Sequence, residues 1–140
     1  MRIRPILLDA GPLVAYLNAR DRYHEWARQQ LSMMVVPLAT CEAVLTEASF
    51  LLGRSGAHVV LDMVERGVFS FPLDVQAEAP ALHRLVAHYE DQPMSFADAC
   101  LVRMSELFDD STVFTLDRDF QVYRRHGRRT IPTVSPLSWR

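Results

Sequence analysis

The chain has 140 residues, 49% of them hydrophobic and 23% charged, with a formal net charge of -2; that length fits one domain with its own core, since domains usually run about 100–150 residues. All 15 basic residues are arginine, so the absence of lysine excludes Schiff-base chemistry and the P-loop phosphate cradle. Two distant cysteines (Cys41, Cys100) and five histidines without ligand spacing exclude a disulfide framework, argue against a zinc enzyme, and fit a reducing, cytoplasmic location.

The chain opens with a signal-like basic start at residues 1–4, but Asp9 interrupts the apolar run, and no run approaches the roughly 20 residues a bilayer needs. A soluble protein with no membrane association is expected. Residues 6–8 are a short apolar strand, ended by Asp9-Ala10-Gly11-Pro12, where the proline is placed to begin a helix. Leu13 and Leu17 suggest a short helix, and residues 23–31 an amphipathic one. Val35-Val36 reads as a brief strand. Thr40 is placed to cap a helix through Leu52 that Gly53 stops. A further helix spans about 56–66, and residues 68–71 are strand-like. Residues 77–89 read as a helix with Pro80 near its start, and Ser95 begins another that runs to about 107. Residues 112–116 form a β-branched, apolar strand, and residues 131–134 a last one.

Apolar strands alternating with helices point to an α/β layer fold around a mainly parallel sheet. With no repeat, linker or low-complexity stretch, residues 1–140 are read as one domain. In such sheets ligands bind outside the carboxyl ends of the strands, so the acidic residues there are informative. Asp9 follows the first strand. Asp117 and Asp119 follow the strand at 112–116. Glu47 lies in the helix after the second strand, and Asp98 in the first turn of the Ser95 helix. Each has a plainer role available: Asp9 as a turn or cap residue, Asp98 as half of a Ser95-x-x-Asp98 capping box, Glu47 on an exposed helix face, and Asp117 and Asp119 as loop solvation. Converging, they would repel one another unless a cation intervened. Oxygen donors without histidine or cysteine select hard ions, Mg²⁺ or Mn²⁺, and such a site suits phosphodiester hydrolysis.

Four blocks carry a family resemblance: Ile6-Leu7-Leu8-Asp9-Ala10-Gly11-Pro12-Leu13, the stretch from Ala39 to Ala48 with Glu47, Met94-Ser95-Phe96-Ala97-Asp98-Ala99, and Phe114-Thr115-Leu116-Asp117-Arg118-Asp119-Phe120. In order and content they resemble the acidic blocks of PIN domains, and among these the VapC-type toxins of bacterial toxin–antitoxin pairs. The resemblance implies a three-layer α/β/α sandwich and a Mg²⁺- or Mn²⁺-dependent endoribonuclease. It implies that Asp9, Glu47, Asp98 and Asp117 carry the catalytic metal site, with Asp119 an extra ligand and Thr115 orienting a carboxylate. It also implies a homodimer and a small antitoxin whose tail occupies the cleft. Glu42 is a second candidate beside Glu47, although its place in the first helical turn is explained by the helix dipole.

Charge is unevenly spread. Residues 1–117 sum to -7 and residues 118–140 to +5. The basic segment from Tyr123 to Arg129 follows the last acidic block directly. Arg124, Arg125, Arg128 and Arg129 are therefore candidates to clamp RNA phosphates near the metals, with Tyr123 stacking a base; a solvated loop or a dimer contact is the alternative. A receiver-like signalling domain is excluded by the missing lysine. A non-catalytic PIN-like RNA-binding or assembly module would require a lost carboxylate, and none of the blocks has lost one. A DNA-directed metal nuclease is the remaining alternative.

Overall fold

The structure, a computed structural model, describes residues 4–136; the readings placed on residues 1–3 and on Arg140 lie outside them. The chain begins with β1 (Ile6–Leu8), α1 (Ala10–Leu17), α2 (His24–Ser32) and β2 (Leu38–Ala39). α3 (Glu42–Leu52), α4 (Gly56–Glu65), β3 (Phe69–Ser70) and α5 (Val75–His88) follow. The last part holds α6 (Phe96–Leu107), β4 (Thr112–Phe114), a 3₁₀ turn at Arg118–Gln121, a hairpin of β5 (Arg124–Arg125) and β6 (Arg129–Thr130), and β7 (Thr133–Val134).

Five strands form a parallel sheet in the order β3-β2-β1-β4-β7. Its central strands are short apolar runs because both faces are covered: Leu7, Leu8, Leu38, Val113 and Phe114 are all buried. From β1 the chain steps outward to β2 and β3, then returns past β1 to lay down β4. Right-handed crossovers therefore set α1 to α4 on one face and α5 and α6 on the other. The packing agrees, since α1 lies on α2 and α3, α3 on α4, and α5 on α6. The α/β/α architecture read from the sequence is thus the observed one. The reversal leaves a crevice between the carboxyl ends of β1 and β4, the place where such sheets bind ligands.

Local sequence explains most boundaries. Asp9 caps α1, Asp74 caps α5 by accepting from Gln76 and Ala77, and Ser95 caps α6. Two expectations are corrected. The second strand is Leu38–Ala39 and not Val35-Val36, which are exposed; the ladder forms only beyond Pro37, where the Leu38 N–H reaches the Val68 carbonyl at 2.8 Å, because proline has no N–H to give. Thr40 does not cap α3. Its hydroxyl donates instead to the Leu8 carbonyl at 2.9 Å, buried beneath the sheet edge, and Cys41 occupies the cap position. The 3₁₀ turn and the β5–β6 hairpin have no signature in the sequence pattern, since Arg124 to Thr130 contain no apolar alternation. The hairpin turn rests on two residues of positive φ, His126 (54°) and Gly127 (79°), and glycine adopts that region without steric cost.

Phe114 lies in the middle of the core, fully buried with Trp26 against it at 5.3 Å between ring centroids. Phe114→Ala is expected to destabilise the fold by about 3–5 kcal/mol, whereas Val35→Ser should stay within about 0.5 kcal/mol of wild type. Urea unfolding followed by circular dichroism measures both, and a Val35 variant as damaging as the Phe114 variant would refute this placement of the second strand.

Candidate metal centre

β1 delivers Asp9 to the crevice. The Asp9 N–H extends the ladder to the Phe114 carbonyl at 3.0 Å, and its buried carboxylate accepts from the Ala10 N–H and from the Thr115 hydroxyl, each at 2.7 Å. The same Thr115 oxygen accepts from the Asp117 N–H at 2.9 Å. One hydroxyl thus joins the ends of β1 and β4. Asp117 caps the 3₁₀ turn by accepting from the Asp119 N–H at 2.9 Å, and the Gln92 amide donates to Asp119 at 3.4 Å.

α6 contributes Asp98. The Ser95 hydroxyl accepts from the Asp98 N–H at 3.0 Å, as a capping residue should, yet the Asp98 carboxylate also receives the Tyr123 hydroxyl at 2.8 Å. Capping and site geometry therefore coexist in one residue. α3 packs against α6 and brings up Glu47 from an exposed position. Gly11 keeps the crevice narrow: a Cβ there would stand 3.1 Å from the Leu116 Cβ. Asp9, Glu47, Asp98 and Asp117 together with Gly11, Leu116 and Arg118 line one cleft of about 360 Å³.

Burial and mutual repulsion raise all four carboxyls. Asp9 is pushed up to about 7, chiefly by burial, against the lowering effect of Thr115 and Ala10, with Asp98 and Glu47 adding repulsion. Glu47, exposed as a residue, has its carboxyl raised by partial desolvation against the cleft wall and then by Asp98 and Asp117. Asp98 is raised by burial, which the hydrogen bond from Tyr123 opposes and the charge of Asp117 reinforces. Asp117 is raised by burial and by Asp119, although the Asp119 N–H pulls the other way. Like charges held together in a partly buried cleft raise the free energy of the ionised state, which is the electrostatic condition a cation relieves.

The donor set fits a hard divalent ion. Asp98, Asp117 and Asp119 each present an atom within 4.8 Å of the others, all of them carboxylate oxygens of the kind that holds Mg²⁺ or Mn²⁺. Asp9 and Glu47 share the cleft with Asp98 and Asp117 but stand outside that tight group. Glu42 is not among them; it lines two other clefts. Five residues along a helix turn it about 140° away from Glu47 at roughly 100° per residue, so Glu47 and not Glu42 faces this cleft.

The basic segment starts at the site, where Tyr123 reaches Asp98, but its arginine hairpin turns away from it. Arg125 donates to the Ser105 carbonyl at 3.4 Å, and His126 bonds Glu106 and Asp109, so the hairpin docks at the C-terminal end of α6. Asp98 is in the first turn. Seven residues at about 1.5 Å each separate Asp98 from Ser105, roughly 10 Å along the helix. Tyr123 has no exposed surface and packs edge-on against Phe120 and Tyr89 at 5.3 and 5.2 Å, so no ring face is open to a base. Its hydroxyl serves Asp98 instead. Arg125 is buried, and Arg124 spends its guanidinium on the carbonyls of Gln121, Val122 and Tyr123. Only Arg128 and Arg129 of the five candidates are exposed. The apolar spacing of Phe120 and Tyr123, three residues apart on a turn, is the signal that would have marked Tyr123 as interior.

Comparison with known proteins agrees with this geometry. The model of the PIN domain family matches residues 6–125. Ribonuclease VapC26 of Mycobacterium tuberculosis is 26% identical over 117 residues, which cover 81% of this chain and 87% of that protein. The crystal structure of VapC20, a sarcin–ricin loop cleaving toxin of the same organism, superposes with a TM-score of 0.73 at 23% identity, covering 89% of this chain and 98% of that one; at that identity the likeness speaks for the fold.

Two outcomes follow from the electrostatics. Asp9 keeps its proton up to about 7 in the fold but releases it near 3.8 when unfolded, so the metal-free fold binds more protons than the unfolded chain within that window. Its contribution to stability is full below 3.8 and lost as pH rises through about 7. The melting temperature in EDTA should therefore fall from pH 5 to 8. The stabilisation by added Mn²⁺ should grow over the same range, and Asp9→Asn should flatten both trends. Tyr123→Phe, which removes only the donor to Asp98, should weaken Mn²⁺ binding about 10- to 100-fold in calorimetry while the circular dichroism spectrum is retained.

Proposed function

The chain belongs to the PIN-domain family, and from that premise we propose that it is a Mg²⁺- or Mn²⁺-dependent endoribonuclease, the toxin of a toxin–antitoxin pair. The observation that carries the reading is the cleft at the β1–β4 switch point, where Asp9, Glu47, Asp98 and Asp117 meet with no histidine, cysteine or lysine among its lining residues. RNA is favoured over DNA because VapC26 is named a ribonuclease and VapC20 a toxin that cleaves the sarcin–ricin loop.

In this reading Asp98, Asp117 and Asp119 hold the ion, and Asp9 and Glu47 complete the acidic wall as further ligands or as acceptors for ordered water. When bound, such an ion lowers the pKa of a coordinated water and offsets charge growing on the phosphoryl oxygens. The chain's own contribution is preorganisation. Thr115 fixes Asp9 and the Asp117 backbone together, and Tyr123 and Ser95 fix Asp98, so the carboxylate oxygens need little rearrangement when an ion and substrate arrive. Single-stranded or looped RNA suits an open cleft, because its phosphates and bases are accessible there. Arg128 and Arg129 would then meet the RNA backbone away from the cleft, towards the far end of α6. The full proposal comprises one nuclease domain over residues 1–140, a homodimer, and a small antitoxin that occupies the cleft. It places the protein in the cytoplasm; among the described residues no helix is long and apolar enough to cross a membrane.

Purified protein is expected to cleave single-stranded RNA with Mg²⁺ or Mn²⁺, to lose cleavage in EDTA, and to leave single-stranded DNA of the same sequence intact. Asp9→Asn and Asp98→Asn should each reduce the rate by roughly 100-fold or more. RNA cleavage that persists in EDTA, or at wild-type rate in both variants, would refute the metal-site reading. Preferential cleavage of the DNA would redirect it to a DNA nuclease.

A further inference from the structure

The carboxylate cleft contains one side chain of opposite charge. Arg118 is the first residue of the 3₁₀ turn and lies between Asp117 and Asp119 in sequence. It is exposed, and it lines the cleft alongside Asp9, Glu47, Asp98 and Asp117. Among the described residues, Arg28, Arg66 and Arg103 are all engaged by carboxylates. Arg118, with five acidic groups around the same crevice, makes no ion pair or hydrogen bond among the described residues. Its two neighbours are turned to other partners: Asp117 accepts from the Asp119 N–H and Asp119 from Gln92. A guanidinium left unpaired beside a cluster of carboxylates is available to an incoming anion.

The charge balance gives that availability a purpose. Four or five carboxylates and one divalent ion leave the cleft net negative, and a phosphodiester is itself an anion. Its approach is unfavourable unless a cation lies at the rim. Arginine suits the task because its planar fork pairs with two non-bridging phosphate oxygens at once, which fixes orientation as well as charge. Lysine would supply a point charge only, and the chain has none. The backbone of Arg118 is held directly between two carboxylate-bearing residues by the Asp117 cap, so the fork's origin is fixed relative to them. The basic hairpin is roughly 10 Å away along α6 and has no comparable position.

We propose that Arg118 anchors the substrate phosphodiester over the carboxylates through paired hydrogen bonds to its non-bridging oxygens, and is thus a catalytic residue of this site. The proposal rests on the ribonuclease reading. Because charge on those oxygens grows as the phosphorus is attacked, the contact strengthens in the transition state.

The test uses the full chain with Mn²⁺ and a single-stranded RNA that the wild type cleaves. It compares Arg118→Ala and Arg118→Lys with Arg20→Ala, an exposed arginine beyond the C-terminal end of α1 and not among the cleft's lining residues, which controls for loss of one surface charge. Arg118→Ala should lower kcat/KM roughly 100-fold, mostly in kcat. Arg118→Lys should recover no more than about 10-fold of that loss, since it restores charge without the fork. The slope of log binding against log salt for RNA should fall by about 0.7 in Arg118→Ala. Calorimetry should find Mn²⁺ bound to Arg118→Ala at least as tightly as to wild type, because a repelling cation has been removed. Arg118→Ala within twofold of wild type would overturn the proposal while leaving the ribonuclease reading intact. A parallel loss of Mn²⁺ binding would also overturn it, by showing that Arg118 builds the site and does not grip substrate. An inactive wild type overturns the ribonuclease reading and this proposal together.

Discussion

Asp9 and Thr115 are 106 positions apart in sequence, and their side chains meet at 2.7 Å in the interior. That contact exists because β1 and β4 pair in parallel and in register, Leu8 opposite Phe114, with the Asp9 N–H continuing the ladder one residue further. Everything at the crevice depends on this pairing. A shift of one residue would turn Asp9 to the other face of the sheet, part it from Thr115, and leave a buried carboxylate without its hydroxyl partner. Such an unpaired group is costly in a core. The apolar runs on both strands set the register, and the polar residues immediately beyond them are delivered as a consequence.

The crevice works against the fold that holds it. Four carboxyls are raised above their ordinary range by burial and by one another, so ionising them together costs more than ionising separate carboxyls, a cost that a cation relieves. The surrounding structure offsets this with hydroxyl and backbone donors: Thr115, Tyr123 and the N–H groups of Ala10 and Asp119. These contacts hold the oxygens in place without neutralising them. Stored like-charge repulsion in an otherwise consistent fold is the pattern expected of a functional site. The two ends of α6 divide the labour. Its N-terminal end carries Asp98 into the acidic cleft, and its C-terminal end receives the arginine-rich hairpin.

Much of this was legible in particular residues. Ile6-Leu7-Leu8-Asp9 reads as a strand with a carboxylate at its end, and Ser95-x-x-Asp98 as a helix start. Thr115 and Asp117 stand where the β4 crevice had to be. Other features were not legible, for identifiable reasons. Val35 and Val36 have strand propensity, but propensity does not report that Pro37 withholds a ladder donor or that both valines face solvent. Thr40 has the chemistry of a cap, and a carbonyl from β1, distant in sequence, outcompetes the local backbone for its hydroxyl. Tyr123 sits in a run of arginines and so reads as surface, whereas three-dimensional packing against Phe120 and Tyr89 encloses it.

By itself, then, the sequence determined the alternation of strands and helices, the parallel character of the sheet, and the acidic residues at the strand ends. Each of these follows from local hydrophobic pattern and from connection rules that act over one or two elements. Only the tertiary structure decided which side chains touch. It chose Glu47 over Glu42 through helix phase, and made Tyr123 a hydrogen-bond donor to Asp98 instead of a stacking platform. It also docked the arginine hairpin at the far end of α6 and left Arg118 as the cation of the cleft. The physical reason is that contacts at 3 Å depend on crossover direction, helix rotation and side-chain burial, quantities set by the whole packed chain and invisible to spacing along it. The net charge of -2 is accordingly a sum of opposed parts, and the fold sets Asp98 of the acidic cleft and the arginine-rich hairpin towards opposite ends of α6.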